Sequence, residues 1–150
     1  MISMDALRNS ELFEGLGDDE LAIIARMARE ETLEPGVRIF AEGEAAGSLY
    51  IVERGRIAVL IDLGHGRQTV VDTVGPGASF GWSTLVPPYV YTASAMCSEP
   101  AKVLVVPGDG LRELCQQHCR TAYAIMERLA MVISTRLKDT RLELMSLVQG

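Results

Sequence analysis

Glycine stands at positions 36, 43, 47, 55, 64, 66, 75, 77 and 81, and the stretches between these glycines are short and rich in β-branched and aromatic residues. No helix of ordinary length survives that punctuation. Each glycine costs roughly 1 kcal/mol in a helix interior relative to alanine, and each opens a turn conformation that other residues resist. Residues 37–41, 49–53, 57–62, 69–74, 91–98 and 103–106 therefore read as strands. Short strands at regular spacing with turn signals between them predict a β-sandwich or barrel. Leu63-Gly64-His65-Gly66 has the composition of a hairpin tip joining two of them.

Helical patterning flanks this block. Leu7, Leu12, Phe13 and Leu16 are apolar points in a polar N-terminal stretch, and a second helix is expected from an N-cap at Asp18, with Leu21, Ile24, Ala25 and Ala28 as its stripe. Asp18, Asp19 and Glu20 suit the positive end of a helix, and Glu30 and Glu31 read as helix-end surface charge. Pro35-Gly36 breaks the pattern. After Pro107, Asp109 is placed to cap a helix bearing Leu111, Leu114 and Cys115, and a longer helix runs from about Arg120 toward Val148 without glycine or proline. Leu129, Ile133, Leu137, Thr140, Leu144 and Leu147 recur along it at helical spacing, and the last four form a short a/d seam. A helix that projects beyond its own domain leaves such a seam wet. A second copy of the chain is the simplest cover, so a homodimer is expected; packing of the stripe on the parent barrel is the alternative.

The expected organisation is one domain over residues 1–150: a helical lead (1–30), a β-barrel (31–107) and C-terminal helices (108–150). A chain of 150 residues buries enough surface to fold without a staple, and its three cysteines are an odd number, which favours a reducing, cytoplasmic setting over a disulfide scaffold. No apolar run has the length of a membrane span. The net charge of -6 argues against nucleic acid as a direct partner.

Within this frame the stretch Ile39-Phe40-Ala41-Glu42-Gly43-Glu44-Ala45-Ala46-Gly47-Ser48-Leu49-Tyr50-Ile51-Val52-Glu53-Arg54-Gly55 resembles the first signature of cyclic nucleotide-binding domains: a Gly-Glu turn, a small residue, four apolar residues and a further glycine. The resemblance extends over nearly the whole chain and is to the sensor half of the catabolite activator protein class. It implies a double-stranded β-helix jelly-roll barrel, mainly β with flanking α, with two helices before it and a long dimerisation helix after it. It also implies a phosphate-binding cassette at Phe80-Gly81-Trp82-Ser83-Thr84-Leu85 and Tyr91-Thr92-Ala93, and places Thr140 and Arg141 where the base of a ligand would touch the long helix.

The cassette departs from the family at both charged positions. Trp82 stands where the family has its ribose-binding glutamate and Tyr91 where it has its phosphate-binding arginine. Between Gln68 and Ala101 there is no lysine or arginine to compensate, so a counter-charge would have to come from another strand, with Arg38, Arg54 and Arg56 as candidates. The neutral hydroxyls of Ser83, Thr84, Tyr91 and Thr92 suit a neutral or weakly anionic ligand better than a nucleotide monophosphate. Alternatively the rings of Trp82, Tyr89 and Tyr91 fill the pocket themselves.

Other chemistry is sparse. Cys115, His118 and Cys119 fall on one face if a single helix carries them, but a fourth ligand is missing, so core packing is expected and no metal site. Haem ligation by His118 or His65 is the reading that relatives of this fold suggest, against a solvated turn for His65. Met126, Met131 and Met145 read as core or dimer filler. No nucleotide-triphosphate loop, nucleophile elbow or zinc helix is present, so the chain is not expected to be an enzyme and needs no cofactor. The sequence ends at Gly150 without a DNA-recognition helix, so any effect on DNA is expected to pass through an unidentified effector protein. The sequence thus points to a sensor or regulatory domain for a non-standard small ligand. A ligand-free dimerisation or docking module and a weak cyclic nucleotide binder are the alternatives.

Overall fold

The computed structural model describes residues 2–149. Helices α1 (Met4–Arg8) and α2 (Asp18–Met27) lead into strands β1 (Arg29–Leu33), β2 (Arg38–Phe40), β3 (Ser48–Gly64), β4 (Arg67–Val74), β5 (Ser79–Phe80) and β6 (Ser94–Pro107), followed by α3 (Gly108–Gln117) and α4 (Cys119–Gln149). All pairings are antiparallel, in the order β1-β6-β3-β4, with β2 added to β6 and β5 to β3.

The four apolar residues of the first signature explain how helices and barrel share one core. Strand side chains alternate between faces. Leu49 and Ile51 of β3, with Leu104 and Val106 of β6, pack with the helices around Phe13, Leu21, Ile24, Leu111 and Ile125. Tyr50 and Val52, with Val103 and Val105, point the other way into the barrel beside Phe40, Phe80 and Tyr91. Both faces of this strand pair are buried, which is why its sequence is a continuous apolar run. Each fully buried Leu, Ile or Val contributes about 1.5–3 kcal/mol.

Several elements differ from the sequence reading. Residues 49–53 and 57–62 are not two strands but parts of one bent strand, β3, and residues 91–98 and 103–106 lie largely in β6. The bend falls where the register shifts around Arg54 and Arg56. There Gly55 has φ +89, and a Cβ on it would collide with the Pro100 carbonyl oxygen and meet the Ala101 Cα at 2.6 Å. Gly43 also has a positive φ, +92, but a Cβ there would meet nothing within 4 Å, so conformation rather than space selects that glycine. Gly55→Ala is expected to lower unfolding free energy by about 3 kcal/mol or more, because it adds a backbone clash to a left-handed penalty of ~1–2 kcal/mol. Gly43→Ala should cost only that smaller penalty, and denaturant unfolding of the two variants compares them. Equal midpoints would show that the strand corner has room for a side chain.

Glu30 and Glu31 are not at a helix end but in β1, which pairs with β6 from Arg29↔Val105 to Leu33↔Ala101. The helical lead thus closes at Met27. Gly17 is the N-cap of α2 and Pro107 that of α3, so Asp18 and Asp109 lie in first turns instead of capping. The hairpin tip at Gly64-His65-Gly66 is as expected, all three residues having positive φ. The helices break at His118, so Cys115 sits half-buried on α3 while His118 and Cys119 are exposed at the junction. Among the described residues no group of three His, Cys, Asp or Glu side chains is arranged to hold a metal, and no helix is long and apolar enough to cross a membrane.

On α4 the face toward the domain changes character along its length. Ile125 and Leu129 are buried and Val132 packs on the same cluster, while the next positions on that face are Arg136, Asp139 and Glu143. Leu129, expected in the dimer seam, is therefore a core residue of its own domain, 3% exposed, because its turn of the helix still lies against the other helices. Ile133, Leu137, Leu144 and Leu147 are 39%, 48%, 58% and 79% exposed, and Thr140 is exposed between them.

Candidate ligand-binding site

The Gly43-Glu44 turn builds the site from one side. Glu44 accepts a hydrogen bond from Ala41 N through its carboxylate (2.7 Å), which closes the turn. The turn then pairs with the cassette: Gly43 N donates to Tyr91 O (2.9 Å), Tyr91 N to Glu44 O (2.9 Å) and Ala46 N to Tyr89 O (2.8 Å). The first signature thus fixes the backbone of the second at Tyr91.

That fixing sends the Tyr91 ring inward. It is 5% exposed and stacks on Phe40 with centroids 3.6 Å apart. Its hydroxyl donates to Ser48 O (2.7 Å) and accepts from Ser48 N (3.1 Å). Tyr50 stacks on Phe80 beside it. Burial pushes both phenols up, Tyr50 to about 12, so both rings are neutral at physiological pH. Tyr91 is a saturated wall residue with no charge and no spare hydroxyl for a ligand.

Gly81, with φ +80, turns the chain from β5 into a single 3-10 turn, Trp82–Leu85. A Cβ on Gly81 would stand 3.1 Å from Ser48 O and 3.4 Å from the Tyr91 ring, so the turn lies close over the barrel end. Trp82 is half-buried. Its indole N–H donates to Ser79 O (3.2 Å), and the guanidinium of Arg136 sits 4.7 Å above its ring. Arg136 also donates to Ser79 O (3.0 Å), bonds both carboxylate oxygens of Glu11 (3.3 Å) and faces Asp72 at 3.7 Å. Trp82 therefore holds α4 through Arg136.

These elements enclose a cavity of about 270 Å³. Of the residues the sequence put forward, Phe80, Gly81, Trp82, Ser83, Tyr91, Thr92, Ala93 and Thr140 line it. Thr84, Leu85 and Arg141 do not. Thr84 is turned to α3, where Arg112 donates to its carbonyl (2.6 Å) and hydroxyl (3.1 Å) while its guanidinium covers the Tyr89 ring. Leu85 is buried in the helix-side core. Arg141 follows Thr140 by about 100° around α4 and so leaves the face on which Thr140 lies. Arg38, Arg54 and Arg56 are exposed away from the cavity, with Arg56 paired to Glu99. The cation that does reach it is Arg136, and with it come Asp72, Asp139 and Glu143. Helix spacing from Thr140 was the available signal, since residues 136 and 143 share its side of the helix, and 139 neighbours those two at i+3 and i−4. A second cleft, of about 350 Å³, shares Asp72, Arg136 and Asp139 with the first.

Comparison with known proteins identifies the family to which this fold belongs. The sequence model of the cyclic nucleotide-binding domain matches residues 30–118. The chain belongs to this family. A Geobacter metallireducens structure described as a cyclic nucleotide-binding protein superposes with a TM-score of 0.82 at 32% identity, over 91% of this chain and 99% of that one. A CRP-like cAMP-activated global transcriptional regulator of Mycobacterium tuberculosis is 25% identical over 144 residues, 96% of this chain. Glutaminase 2 of Bradyrhizobium diazoefficiens is 28% identical over 131 residues, 87% of this chain. The chain spans 62% of the length of the regulator and 20% of that of the glutaminase. The family's members here are regulatory proteins in the main, and the jelly-roll barrel with flanking helices is the shared fold.

Proposed function

We propose that this chain is a non-enzymatic sensor domain that binds a small ligand other than cyclic AMP or cyclic GMP in its barrel cavity and signals as a parallel homodimer through α4. The observation that carries this reading is the state of the cassette. A cavity of about 270 Å³ lies behind Gly81, with Trp82 and Tyr91 in its walls and not across it. An open pocket with apolar walls and a few polar groups favours ligand binding over a purely structural module. Its two altered positions, however, are committed to the protein itself: Tyr91 to Ser48 and Phe40, Trp82 to Ser79 and Arg136. The guanidinium of Arg136 already serves Glu11 and Asp72. A cyclic phosphate would have to displace those carboxylates to gain a counter-charge.

The match to only a part of a much longer glutaminase supports a regulatory unit that works with different effectors. With a net charge of -6 this unit is suited to act on a protein partner and not on DNA directly, and its free cysteines suit a reducing, cytoplasmic setting. Native mass spectrometry of the purified protein tests the reading in one measurement. A dimer that retains, or takes up, a small molecule of non-nucleotide mass supports it. A dimer carrying a cyclic nucleotide in stoichiometric amount overturns the ligand assignment, and a monomer overturns the dimer.

A further inference from the structure

We infer that the cavity takes a small organic ammonium ion with an aromatic or other apolar body. The inference rests on the reading of the cavity as a ligand site and deepens it. Three observations converge. First, the charge in the walls is unbalanced: Asp72, Asp139 and Glu143 face one cation, Arg136. That cation is engaged by the Glu11 carboxylate, Asp72, Ser79 O and the Trp82 ring. Among the described residues, Asp139 and Glu143 have no basic group within 4.0 Å.

Second, the charged groups left for a ligand only accept, and the Ser83 and Thr92 hydroxyls beside them accept as well as donate. The Tyr91 hydroxyl is used by Ser48, and Thr140 donates its hydroxyl hydrogen to Arg136 O (2.9 Å). Carboxylates only accept and an ammonium only donates, so the two are complementary where a phosphate or carboxylate ligand would meet like charge. Third, much of the remaining wall is apolar, with Phe40, Val59, Val71, Phe80, Trp82 and Tyr91 in it. Such a wall accommodates an apolar body, while the face of Trp82 is covered by Arg136 and the rings of Phe40 and Tyr91 stack on each other. The acidic character of the whole chain, -6, adds a field that draws cations and repels anions at long range.

The single tryptophan of the chain, Trp82, lies in this wall, so its fluorescence reports occupancy directly. Three probes of one shape separate charge from fit: phenethylamine, 2-phenylethanol and phenylacetate, titrated against the full chain at pH 7 beside cyclic AMP. Phenethylamine is expected to bind about tenfold tighter than the alcohol, the size given by two water-facing carboxylates, with phenylacetate the weakest. In Asp139→Asn/Glu143→Gln the amine should fall to the affinity of the alcohol while the alcohol is unchanged, and that unchanged binding shows the variant is folded. Equal binding of amine and alcohol by the parent protein, or tighter binding of phenylacetate, overturns the charge assignment while leaving the cavity a ligand site. A Trp82 emission that responds to cyclic AMP alone, or to none of the probes, overturns the ligand reading with it.

Discussion

Cyclic AMP is expected to bind the unmodified domain weakly at best, and to bind Trp82→Glu/Tyr91→Arg about 10²–10⁴-fold more tightly. Leaving a buried charge without its partner typically costs about 3–5 kcal/mol, which is roughly two to four decades of affinity. The double change supplies a guanidinium for the phosphate and a carboxylate for the ribose. It also places that carboxylate beside Arg136, whose guanidinium now stacks 4.7 Å above the Trp82 ring. The single variants should behave differently. Tyr91→Arg alone removes the stack on Phe40 and both bonds to Ser48 and leaves a cation near the barrel core. Its melting temperature should drop and recover on adding cyclic nucleotide. Trp82→Glu alone forms a new pair with Arg136 and gains little affinity. The gain in the double variant should exceed the sum of the singles, since both groups act on one ligand. Calorimetry decides the matter: low-micromolar binding of cyclic AMP by the unmodified protein would mean that Arg136 leaves Glu11 and Asp72 to serve the phosphate.

How far the sequence discloses this structure follows from which physical signals are local. The barrel is legible because glycine punctuation and short runs of β-branched and aromatic residues are local signals, whereas the alternation of Leu49 and Ile51 with Tyr50 and Val52 between two cores is not, both faces being apolar. The hairpin at Gly64-His65-Gly66 and the extent of α4 are legible for the same reason. β1 is hidden because it is a strand at the end of the sheet whose residues are Arg-Glu-Glu-Thr-Leu, charges that suit an exposed strand edge and mimic a helix surface. The continuity of β3 through Gly55 is hidden because a glycine announces a turn, and only the approach of Pro100 and Ala101 shows that it is a corner in one strand. The cassette could be placed residue by residue, yet its directions could not. Thr84 turns away from the cavity to Arg112, and the Tyr91 hydroxyl is taken by a residue 43 positions away. Arg136 is hidden in the sequence because it reaches the cavity from a helix 45 residues beyond Tyr91 in the chain and not from a neighbouring strand. The acidic residues that accompany it are the ground for the cationic ligand inferred above.

Leu144→Glu is expected to dissociate the proposed dimer, raising its dissociation constant by about three decades or more. Beyond Val132, α4 offers the domain only the polar face of Arg136, Asp139 and Glu143. On the adjoining face Ile133, Leu137, Leu144 and Leu147 remain 39–79% exposed, spaced as a seam with Thr140 among them. A stripe of that kind exposed to water forgoes about 1.5–3 kcal/mol per leucine that a partner helix would recover. In a parallel pair of helices related by two-fold symmetry, residue 144 meets its own copy. The substitution therefore removes two leucines from the contact and sets two carboxylates against each other in a desolvated seam, a loss of about 4 kcal/mol or more that corresponds to three decades. Lys138→Gln, on the opposite side of the helix, should leave association unchanged and controls for the loss or gain of charge alone. Sedimentation velocity at micromolar concentration separates the outcomes. A parent protein that already sediments as a monomer ends the dimer proposal, and a Leu144→Glu protein that stays dimeric moves the contact off this face. Because Thr140 borders both the seam and the cavity, a Leu144→Glu monomer should also show altered ligand affinity, which ties the occupancy of the barrel to the pairing of its helix.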